Sequence, residues 1–385
     1  MTSKIKVLQV IPKLGFGGAE TGCYDLAHFL AEQECKSFLI TSGGELLKFV
    51  RRDKIKVIRL PVHSKNPIII FINSIIIFFI ILFYNIDIVH ARSRAPAWSC
   101  LWACFFARKN FVTTFHGTYN FSTKLKLFYN SVMVRSKLTI AGSNFIFNHI
   151  NENYHKYLSP SKKKLLVIFR GINLEYFNLK NTSIKKVNTL AESWNIDKNN
   201  FIILLPGRLA KWKGQEMFIE SLSLLLEEYK KLNFHAIILG SNQGRDLYSK
   251  KLSLLVERHR LAKKITFVEN CKEMPIAYEL ANLIISSSIE PEAFGRVAVE
   301  AQAMSKPIVA SDIGGSKETV LNGKSGLLYR SNDSGELAKA MNKIIEKNKD
   351  SLNIMGEQGR KNVEKKFNVD QMCQTTFTEY KKLLK

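Results

Sequence analysis

The chain has 385 residues, of which 46% are hydrophobic, and this is enough to build two globular domains of ordinary size. Lys and Arg outnumber Asp and Glu by 57 to 33, a formal net charge of +24, which suits nucleic acid, an anionic membrane surface or a phosphorylated substrate as a partner. The cations are spread along the chain and lack the interleaved aromatic residues of a single-strand binder, so the composition argues against nucleic acid.

In the first half, short apolar strands alternate with segments of helical length. Such alternation predicts an open parallel sheet with helices on both faces, the doubly wound α/β class. The predicted helix is Ala19–Gln33, and the predicted strands are Val7–Ile11, Ser37–Thr41, Lys56–Leu60, Ile86–His90, Phe111–Phe115, Lys137–Ala141 and Leu165–Phe169.

A second series of the same kind begins after Phe177 and predicts a second sheet. Between the two series, residues 170–200 are polar and irregular enough to be the linker region. We therefore expect two doubly wound, Rossmann-like domains that face each other across a cleft, where ligands of such sheets bind. The predicted helix is Gln215–Tyr229, and the predicted strands are Phe201–Leu205, His235–Leu239, Ile265–Val268, Leu283–Ser286 and Lys306–Ala310.

The segment Ile68–Phe83 is apolar on every side, with only Asn73 and Ser74 polar. Asn66 and Pro67 before it are typical of a helix start. The main expectation is a helix that its own domain covers. The alternatives are docking of one face into a membrane leaflet and a true span, for which sixteen residues are short of the roughly twenty that a bilayer requires.

The six cysteines form no CxxC pair, and Cys100 and Cys104 stand one helical turn apart among apolar residues. We expect buried, reduced thiols, as in a cytoplasmic protein. The apolar stretch at the N-terminus is too short for a signal peptide. The expected location is therefore the cytoplasm.

An acidic pair stands in the segment EPEAFGRVAVEAQAM, from Glu290 to Met304. Seven residues separate Glu292 from Glu300, and a helix is predicted to start directly after Gly295. The N–H groups and positive dipole at that start favour a diphosphate. Glu300, one turn inside, is placed to accept hydrogen bonds from a ribose diol, and Glu292 to reach hydroxyls of a transferred sugar. The alternative is a surface helix with two solvated glutamates, against which the Phe-Gly between them and the Gly-Gly pair at 314–315 argue.

A basic motif, LLPGRLAKWKG, runs from Leu204 to Gly214. Arg208 and Lys213 follow the carboxyl end of the first strand of the second domain. Two cations there are placed to hold a diphosphate and to neutralise the charge that builds on a departing nucleoside diphosphate. A solvated basic loop is the alternative.

Two further motifs follow strands of the first domain. In LGFGGAE, Gly17 and Gly18 open a helix, so their backbone amides can approach a sugar or a phosphate, although the motif is neither a GxGxxG fingerprint nor a Walker loop. In TTFHGTY, His116 stands at the end of a strand, from where its imidazole can hydrogen-bond a transferred sugar. An ordinary turn and a structural loop histidine are the respective alternatives.

In this order and with these separations, the four motifs resemble the retaining GT-B glycosyltransferases of family 4, also called group 1. The resemblance covers nearly the whole chain and is most specific over Pro206–Gly214 and Glu290–Val320. It implies an acceptor-side domain over residues 1–170 and a nucleotide-sugar-binding domain over 171–365. It further implies a C-terminal helix, 366–385, that packs back on the first domain.

The resemblance also implies roles for single residues. It makes His116 and Glu292 the catalytic residues. The donor-binding residues that it implies are Gly17, Gly18, Arg208, Lys213, Glu292, Phe294, Gly295, Val297 and Glu300. The sequence departs from the family pattern at Arg170-Gly171-Ile172-Asn173, where Asn-Gly-Val-Asp is usual.

The implied reaction moves a sugar, with retention, from a nucleotide-sugar, most simply a UDP- or GDP-sugar, to a glycan or lipid-linked acceptor. Cell-envelope polysaccharide or lipopolysaccharide synthesis is the expected setting, with peripheral contact to the anionic inner face of the plasma membrane. No DxD motif is present, so we expect metal independence and no cofactor. Two alternatives stay open: a GT-B nucleotide-sugar isomerase or epimerase, and a non-catalytic basic protein that binds membrane surfaces.

Overall fold

The structure is a computed structural model that describes residues 4–158, 164–229 and 232–385. It divides into two compact units. Unit 1 comprises residues 1–171 and 369–385, and unit 2 comprises residues 172–368. The bounds expected from the sequence, 1–170, 171–365 and 366–385, lie within a few residues of these.

Unit 1 is built on a parallel sheet of seven strands. The strands are continuous apolar runs because helices on both faces bury them, and Val7, Leu8 and Val10 of the first strand are fully buried. Its elements up to residue 167 are β1 (Ile5–Val10), α1 (Gly18–Glu32), β2 (Cys35–Thr41), β3 (Ile55–Arg59), α2 (Pro67–Tyr84), β4 (Ile88–Ala91), α3 (Arg94–Ala107), β5 (Asn110–Phe115), α4 (Lys124–Asn130), β6 (Leu138–Ala141), α5 (Asn144–Tyr154) and β7 (Lys164–Val167).

Unit 2 is a second doubly wound unit with a parallel sheet of six strands. Its elements are α6 (Ile184–Ser193), β8 (Phe201–Pro206), α7 (Gln215–Glu228), β9 (Phe234–Leu239), α8 (Asp246–Arg258), β10 (Ile265–Val268), α9 (Met274–Leu280), β11 (Leu283–Ser286), α10 (Arg296–Ala303), β12 (Ile308–Ser311), α11 (Ser316–Thr319), β13 (Gly326–Tyr329), α12 (Ser334–Ile345) and α13 (Lys349–Lys366).

The strand order shows where each sheet reverses direction. The order is β3-β2-β1-β4-β5-β6-β7 in unit 1 and β10-β9-β8-β11-β12-β13 in unit 2. The reversal therefore falls between β1 and β4 in the first sheet and between β8 and β11 in the second. Loops that leave the carboxyl ends of such paired strands diverge and form the ligand crevice of open α/β sheets.

The stretch 170–200 corrects one expectation. It was expected to be an irregular linker, but residues from 172 onward belong to unit 2 and include the regular helix α6. Ser183 caps that helix, because its Oγ accepts a hydrogen bond from the backbone N–H of Lys186. The polar composition reflects a surface helix of which only Ala191 is fully buried.

The chain ends in α14 (Val369–Leu383), which packs on unit 1. Cys373, Phe377 and Tyr380 lie in one apolar cluster with residues of β1 and α1. The hydroxyl of Tyr380 lies 2.5 Å from Nδ1 of His90 on β4, and both side chains are fully buried. The last helix therefore completes the core of the first unit.

Replacement of Phe377 by alanine tests this contribution. Phe377 is 3% exposed and packs near Phe29 of α1, so we expect the change to lower the free energy of unfolding of unit 1 by about 3–5 kcal/mol. Hydrogen exchange at the amides of β1 measures this loss, with the amides of β8 as an internal reference. The matched control is Gln374→Ala, one turn earlier on the exposed face; equal effects from both substitutions would contradict the packing argument.

The cysteines lie as the sequence predicted. All six are free thiols, and five are buried while Cys271 is half-buried. Burial raises the pKa of Cys23 to about 11 and that of Cys35 to about 12. These thiols are therefore protonated at neutral pH and act as small apolar side chains.

The helix α2 contradicts the main expectation for the apolar segment 68–83. Only 28% of its residues are buried, and its mean hydropathy of 2.7 over eighteen residues is high enough for a membrane-crossing helix by length and composition. Asn66 caps it through a hydrogen bond from the N–H of Ile68, as the sequence indicated. Its domain covers one side of this helix and leaves large apolar side chains, such as Phe79 and Phe83, in contact with solvent.

Candidate active site

The loops after β8 and β11 meet through a buried ion pair. Lys213 ends a short 3-10 turn after β8, and Glu292 lies in the loop after β11. Nζ of Lys213 is 2.7 Å from Oε1 of Glu292, and the side chains are 14% and 11% exposed. Burial by itself would raise the pKa of Glu292, but the charge of Lys213 and hydrogen bonds from Lys213 and Ser288 hold it below its usual value. Glu292 is therefore ionised at neutral pH.

Hydrogen bonds to the main chain join the first two loops to each other and hold a third loop, the one after β12, against them. The hydroxyl of Ser287 donates to the carbonyl oxygen of Lys213 at 2.9 Å, which joins the first two loops. The N–H of Gly315, after β12, donates to the carbonyl oxygen of Glu292 at 2.7 Å. A Cβ at Gly314 would lie 2.5 Å from that oxygen, so only glycine permits this approach. The Gly-Gly pair thus fixes the backbone that carries Glu292.

The helix α10 begins beside the acidic loop. Gly295, directly before it, has a φ of +80°, in the left-handed region that glycine adopts without strain. A glycine offers no side chain to cap the first N–H groups of the helix, and the positive end of the helix dipole lies there. This arrangement attracts an anion such as a phosphate. The helix ends at Ala303.

Glu300 lies one turn inside α10 and is 7% exposed. Nε of Arg296 is 2.5 Å from its Oε1, and the hydroxyl of Tyr278 donates to its Oε2 at 2.8 Å. Burial, followed by the charge of Glu300, raises the pKa of Tyr278 well above 10, so the phenol keeps its proton and donates. Each carboxylate oxygen can accept more than one hydrogen bond, which leaves capacity for ligand hydroxyls.

The other residues predicted in unit 2 occupy different positions around this cluster. Arg208 is exposed, and its Nη1 donates to Oε1 of Gln243 at 3.4 Å, while its charge also lowers the pKa of Glu292. The ring of Phe294 is buried against Phe367 at 5.6 Å between centroids, so its backbone, not its ring, is available to a ligand. Val297 is half-buried in the first turn of α10.

In unit 1, the predicted residues lie at the ends of β1 and β5. Gly17 precedes α1 and is exposed, and Gly18 is its first residue. His116 follows β5, and both of its ring nitrogens are shielded from solvent without a hydrogen-bond partner within the described part of the chain. Burial, followed by the charges of Arg170 and Arg92, lowers its pKa well below 6.5, so the imidazole is neutral. Both ring nitrogens are therefore available to hydrogen-bond a ligand.

Two arginines near these residues were not predicted. Arg92 follows β4 at the reversal of the sheet, and its Nε donates to Oε1 of Gln9 at 3.0 Å. A Cβ at Gly22 would lie 3.6 Å from Nη2 of Arg170 and 3.7 Å from Nη1 of Arg92, so both guanidinium groups approach the first turns of α1. The position of Arg92 after a strand, and the departure from the family pattern at Arg170, were the signals that could have identified them.

Known proteins match the chain over both units. The sequence profile of glycosyltransferase family 4 matches residues 16–176, and that of the glycosyl transferases group 1 matches residues 186–362. A crystal structure of a glycosyltransferase from Rickettsia africae ESF-5 superimposes with a TM-score of 0.90, at 36% identity over 99% of both chains. The capsular polysaccharide biosynthesis glycosyltransferase CapM of Staphylococcus aureus is 27% identical over 56% of this chain and 53% of its own length. The Anabaena protein HepE, solved in complex with UDP and glucose, has a TM-score of 0.81 at 22% identity, over 98% of this chain and 100% of its own.

Two doubly wound units, the second with an acid–lysine pair and a glycine-started helix at its sheet reversal, define the class of GT-B glycosyltransferases. Within that class, the profile matches and the 36% identity to the Rickettsia enzyme show that the chain belongs to the group 1, family 4 glycosyltransferases.

Proposed function

We propose that this protein is a retaining glycosyltransferase that moves a sugar from a UDP- or GDP-sugar to a glycan or lipid-linked acceptor. The observation that carries the proposal is the convergence of Lys213, Glu292 and the start of α10 on one edge of a sheet. A cation and a helix N-terminus suit a diphosphate, and an ionised carboxylate suits sugar hydroxyls. That HepE was solved with UDP and glucose supports a UDP-sugar as the first donor to test.

In the proposed reaction, the bond between the anomeric carbon and the diphosphate oxygen breaks. The acceptor oxygen bonds the same face of that carbon, and its proton passes to an oxygen of the leaving diphosphate. The protein's part is positioning and stabilisation of charge. Lys213 and Arg208 neutralise the diphosphate, and Glu300 holds the ribose. Glu292 and His116 bind hydroxyls of the transferred sugar.

Five further residues have proposed donor contacts through the main chain. The amides of Gly17 and Gly18 approach the sugar or phosphate, and the backbone at Phe294, Gly295 and Val297 contacts phosphate and sugar. What supports this is that a glycine starts each of α1 and α10. The ring of Phe294 has no part in it because it is buried.

The proposed setting is synthesis of cell-envelope polysaccharide or lipopolysaccharide on the cytoplasmic side of the plasma membrane. The similarity to CapM, named for capsular polysaccharide biosynthesis, supports this setting over half of the chain. The proposed reaction needs no metal ion or cofactor, because Lys213, Arg208 and a helix dipole supply positive charge for the leaving group.

The test is a panel of UDP-, GDP- and ADP-sugars with purified protein, first by thermal shift and then by product analysis with membrane extract. We expect one donor to stabilise the protein and to yield a glycosylated product with its anomeric configuration retained. Activity is expected to stay within a factor of two, roughly the scatter of an assay, when a chelator is added. Loss of activity with chelator and its restoration by manganese would refute metal independence. Conversion of the donor without any acceptor would identify an isomerase or epimerase instead.

A further inference from the structure

The surface formed by α2, α3 and α4 is apolar over a large area. Twelve of the 22 exposed large apolar side chains in the described part of the chain lie on these helices: seven on α2, three on α3 and two on α4. Three helices that make up about a tenth of the chain thus carry more than half of these side chains, which is a patch and not scatter. The most exposed members are Ile68, Phe79, Phe83, Phe105, Phe106 and Leu125.

Side-chain contacts join the three helices into one continuous surface, the three-helix platform. The helix α2 packs along α3, where the hydroxyl of Ser99 donates to the carbonyl oxygen of Ile70 at 2.9 Å. Aromatic rings then continue the surface from α2 to α4. Phe71 lies 6.5 Å from Trp102 between ring centroids, Trp102 lies 6.0 Å from Trp98, and Trp98 lies 5.4 Å from Phe128.

The same part of the chain is strongly basic. Residues 54–151 contain twelve Lys and Arg but a single acid, Asp87, so they carry +11 of the total charge of +24 in a quarter of the chain. Asp87 accepts a hydrogen bond from the backbone N–H of Lys6. Exposed cations border the platform: Lys65 precedes α2, Arg108 follows α3, and Lys124 and Lys126 flank Leu125 on α4.

We propose that the three-helix platform docks into one leaflet of a membrane that contains anionic lipids. Exposed aromatic and aliphatic side chains enter the interface between headgroups and acyl chains, and the bordering lysines and arginines bind anionic headgroups. An apolar centre with a cationic border favours a membrane with anionic lipids over other binding partners. A second copy of this equally basic chain would place like charges together, and a neutral partner would leave the border without a counterpart.

The helix α2 lies in the leaflet and does not cross the bilayer. It joins β3 to β4, two strands of one parallel sheet, so both of its ends return to the same domain. Nζ of Lys6 on β1 donates to the carbonyl oxygen of Tyr84 at 2.9 Å, and the N–H of Ile86 donates to the carbonyl oxygen of Ile81, which fixes its C-terminal end to the fold. If α2 crossed the bilayer, its two ends would lie on opposite sides of the membrane and could not connect β3 to β4 of the same sheet.

The consequence for catalysis rests on the proposed function. Docking would hold the enzyme where a lipid-linked acceptor resides and so raise the local concentration of that acceptor. The docking itself depends only on the platform, so it can be tested without any turnover.

The experiment is co-sedimentation of the full chain with two kinds of vesicle, pure phosphatidylcholine and an equimolar mixture of phosphatidylcholine and phosphatidylglycerol. We expect binding to the mixed vesicles, weakened by salt, and little binding to the neutral ones. The apolar variant Phe83→Ser, Phe105→Ser, Phe106→Ser is expected to lower the partition coefficient by about tenfold or more. The charge variant Arg108→Gln, Lys124→Gln, Lys126→Gln is expected to lower it by about 100-fold, the effect of three surface cations.

Matched controls lie on unit 2. Leu247→Ser, Leu254→Ser, Ile354→Ser removes three exposed apolar side chains, and Lys347→Gln, Lys365→Gln, Lys366→Gln removes three exposed cations. Both controls are expected to bind vesicles as the unmodified protein does. All variants should keep the melting temperature of the unmodified protein, which shows that they are folded.

Three outcomes would overturn the proposal: no sedimentation with mixed vesicles, equal binding by the platform variants and their controls, or self-association that the apolar variant abolishes while vesicles bind nothing. Vesicle binding by a protein that takes no nucleotide-sugar would instead uphold the platform and refute the proposed function.

Discussion

Replacement of Lys213 by alanine is expected to lower kcat by about 100- to 1,000-fold, the effect of removing one group that stabilises developing charge. Nζ of Lys213 lies 2.7 Å from the carboxylate of Glu292 in a largely buried setting, where a charge acts more strongly than in water. The change also leaves Glu292 without its closest cation, so the free-enzyme pKa of that carboxyl group should rise. Steady-state kinetics with the donor identified by the panel measure the effect on turnover.

The control for this variant is Lys211→Ala, in the same 3-10 turn. Lys211 is exposed, and its side chain takes no part in the ion pair, so its loss should change kcat by less than about threefold, as for a surface charge. Lys213→Arg keeps the charge but changes the geometry, and partial activity is expected. Turnover within a factor of a few in Lys213→Ala would show that the assigned role is wrong.

Much of the architecture could be predicted because buried parallel strands are continuous apolar runs. The segments Ile265–Val268 and Leu283–Ser286 were placed to the residue, and other strands to within about two. The short strand β13, GLLY, was not predicted, because four residues between turns give too weak a pattern. The helix α6 was missed for the opposite reason, since a polar surface helix resembles a loop in composition.

Some residues of the candidate site could be predicted from the sequence around them, and others could not. Lys213, Glu292 and Gly295 stand in compact motifs next to strand ends, so local sequence suffices to locate them. Tyr278 comes from a helix 22 residues before the carboxylate that it binds, and nothing in its own neighbourhood signals that contact. Tertiary contacts of this kind form only when the domain folds and brings the two helices together.

The exposure of α2 could not be predicted either. Its sequence is apolar all round, and such a helix is equally consistent with a covered position, a leaflet and a span. Only the structure shows that α3 covers one side and that Phe79 and Phe83 face outward. Hydropathy measures how strongly a segment avoids water, whereas the fold determines what covers its apolar side chains.

Replacement of Glu300 by glutamine is expected to raise the KM of the donor by about 10- to 100-fold, the effect of losing charged hydrogen bonds, with a smaller change in kcat. The carboxylate is buried and oriented by Arg296 and Tyr278, so it is presented to a ligand without further ordering. Glutamine keeps the volume, but it offers one oxygen acceptor where the carboxylate offers two. Donor titration by calorimetry and steady-state kinetics separate affinity from turnover.

Tyr278→Phe tests the positioning of that carboxylate. It removes only the hydroxyl that donates to Oε2, so donor affinity should fall by about 3- to 10-fold while kcat stays nearly unchanged. Glu357→Gln, an exposed glutamate on α13 of the same unit, is the control and should leave both constants unaltered. If Glu300→Gln binds the free nucleoside diphosphate as tightly as the unmodified enzyme, Glu300 does not hold the ribose. A kcat effect of Tyr278→Phe that exceeds its effect on affinity would instead place the tyrosine in the chemical step.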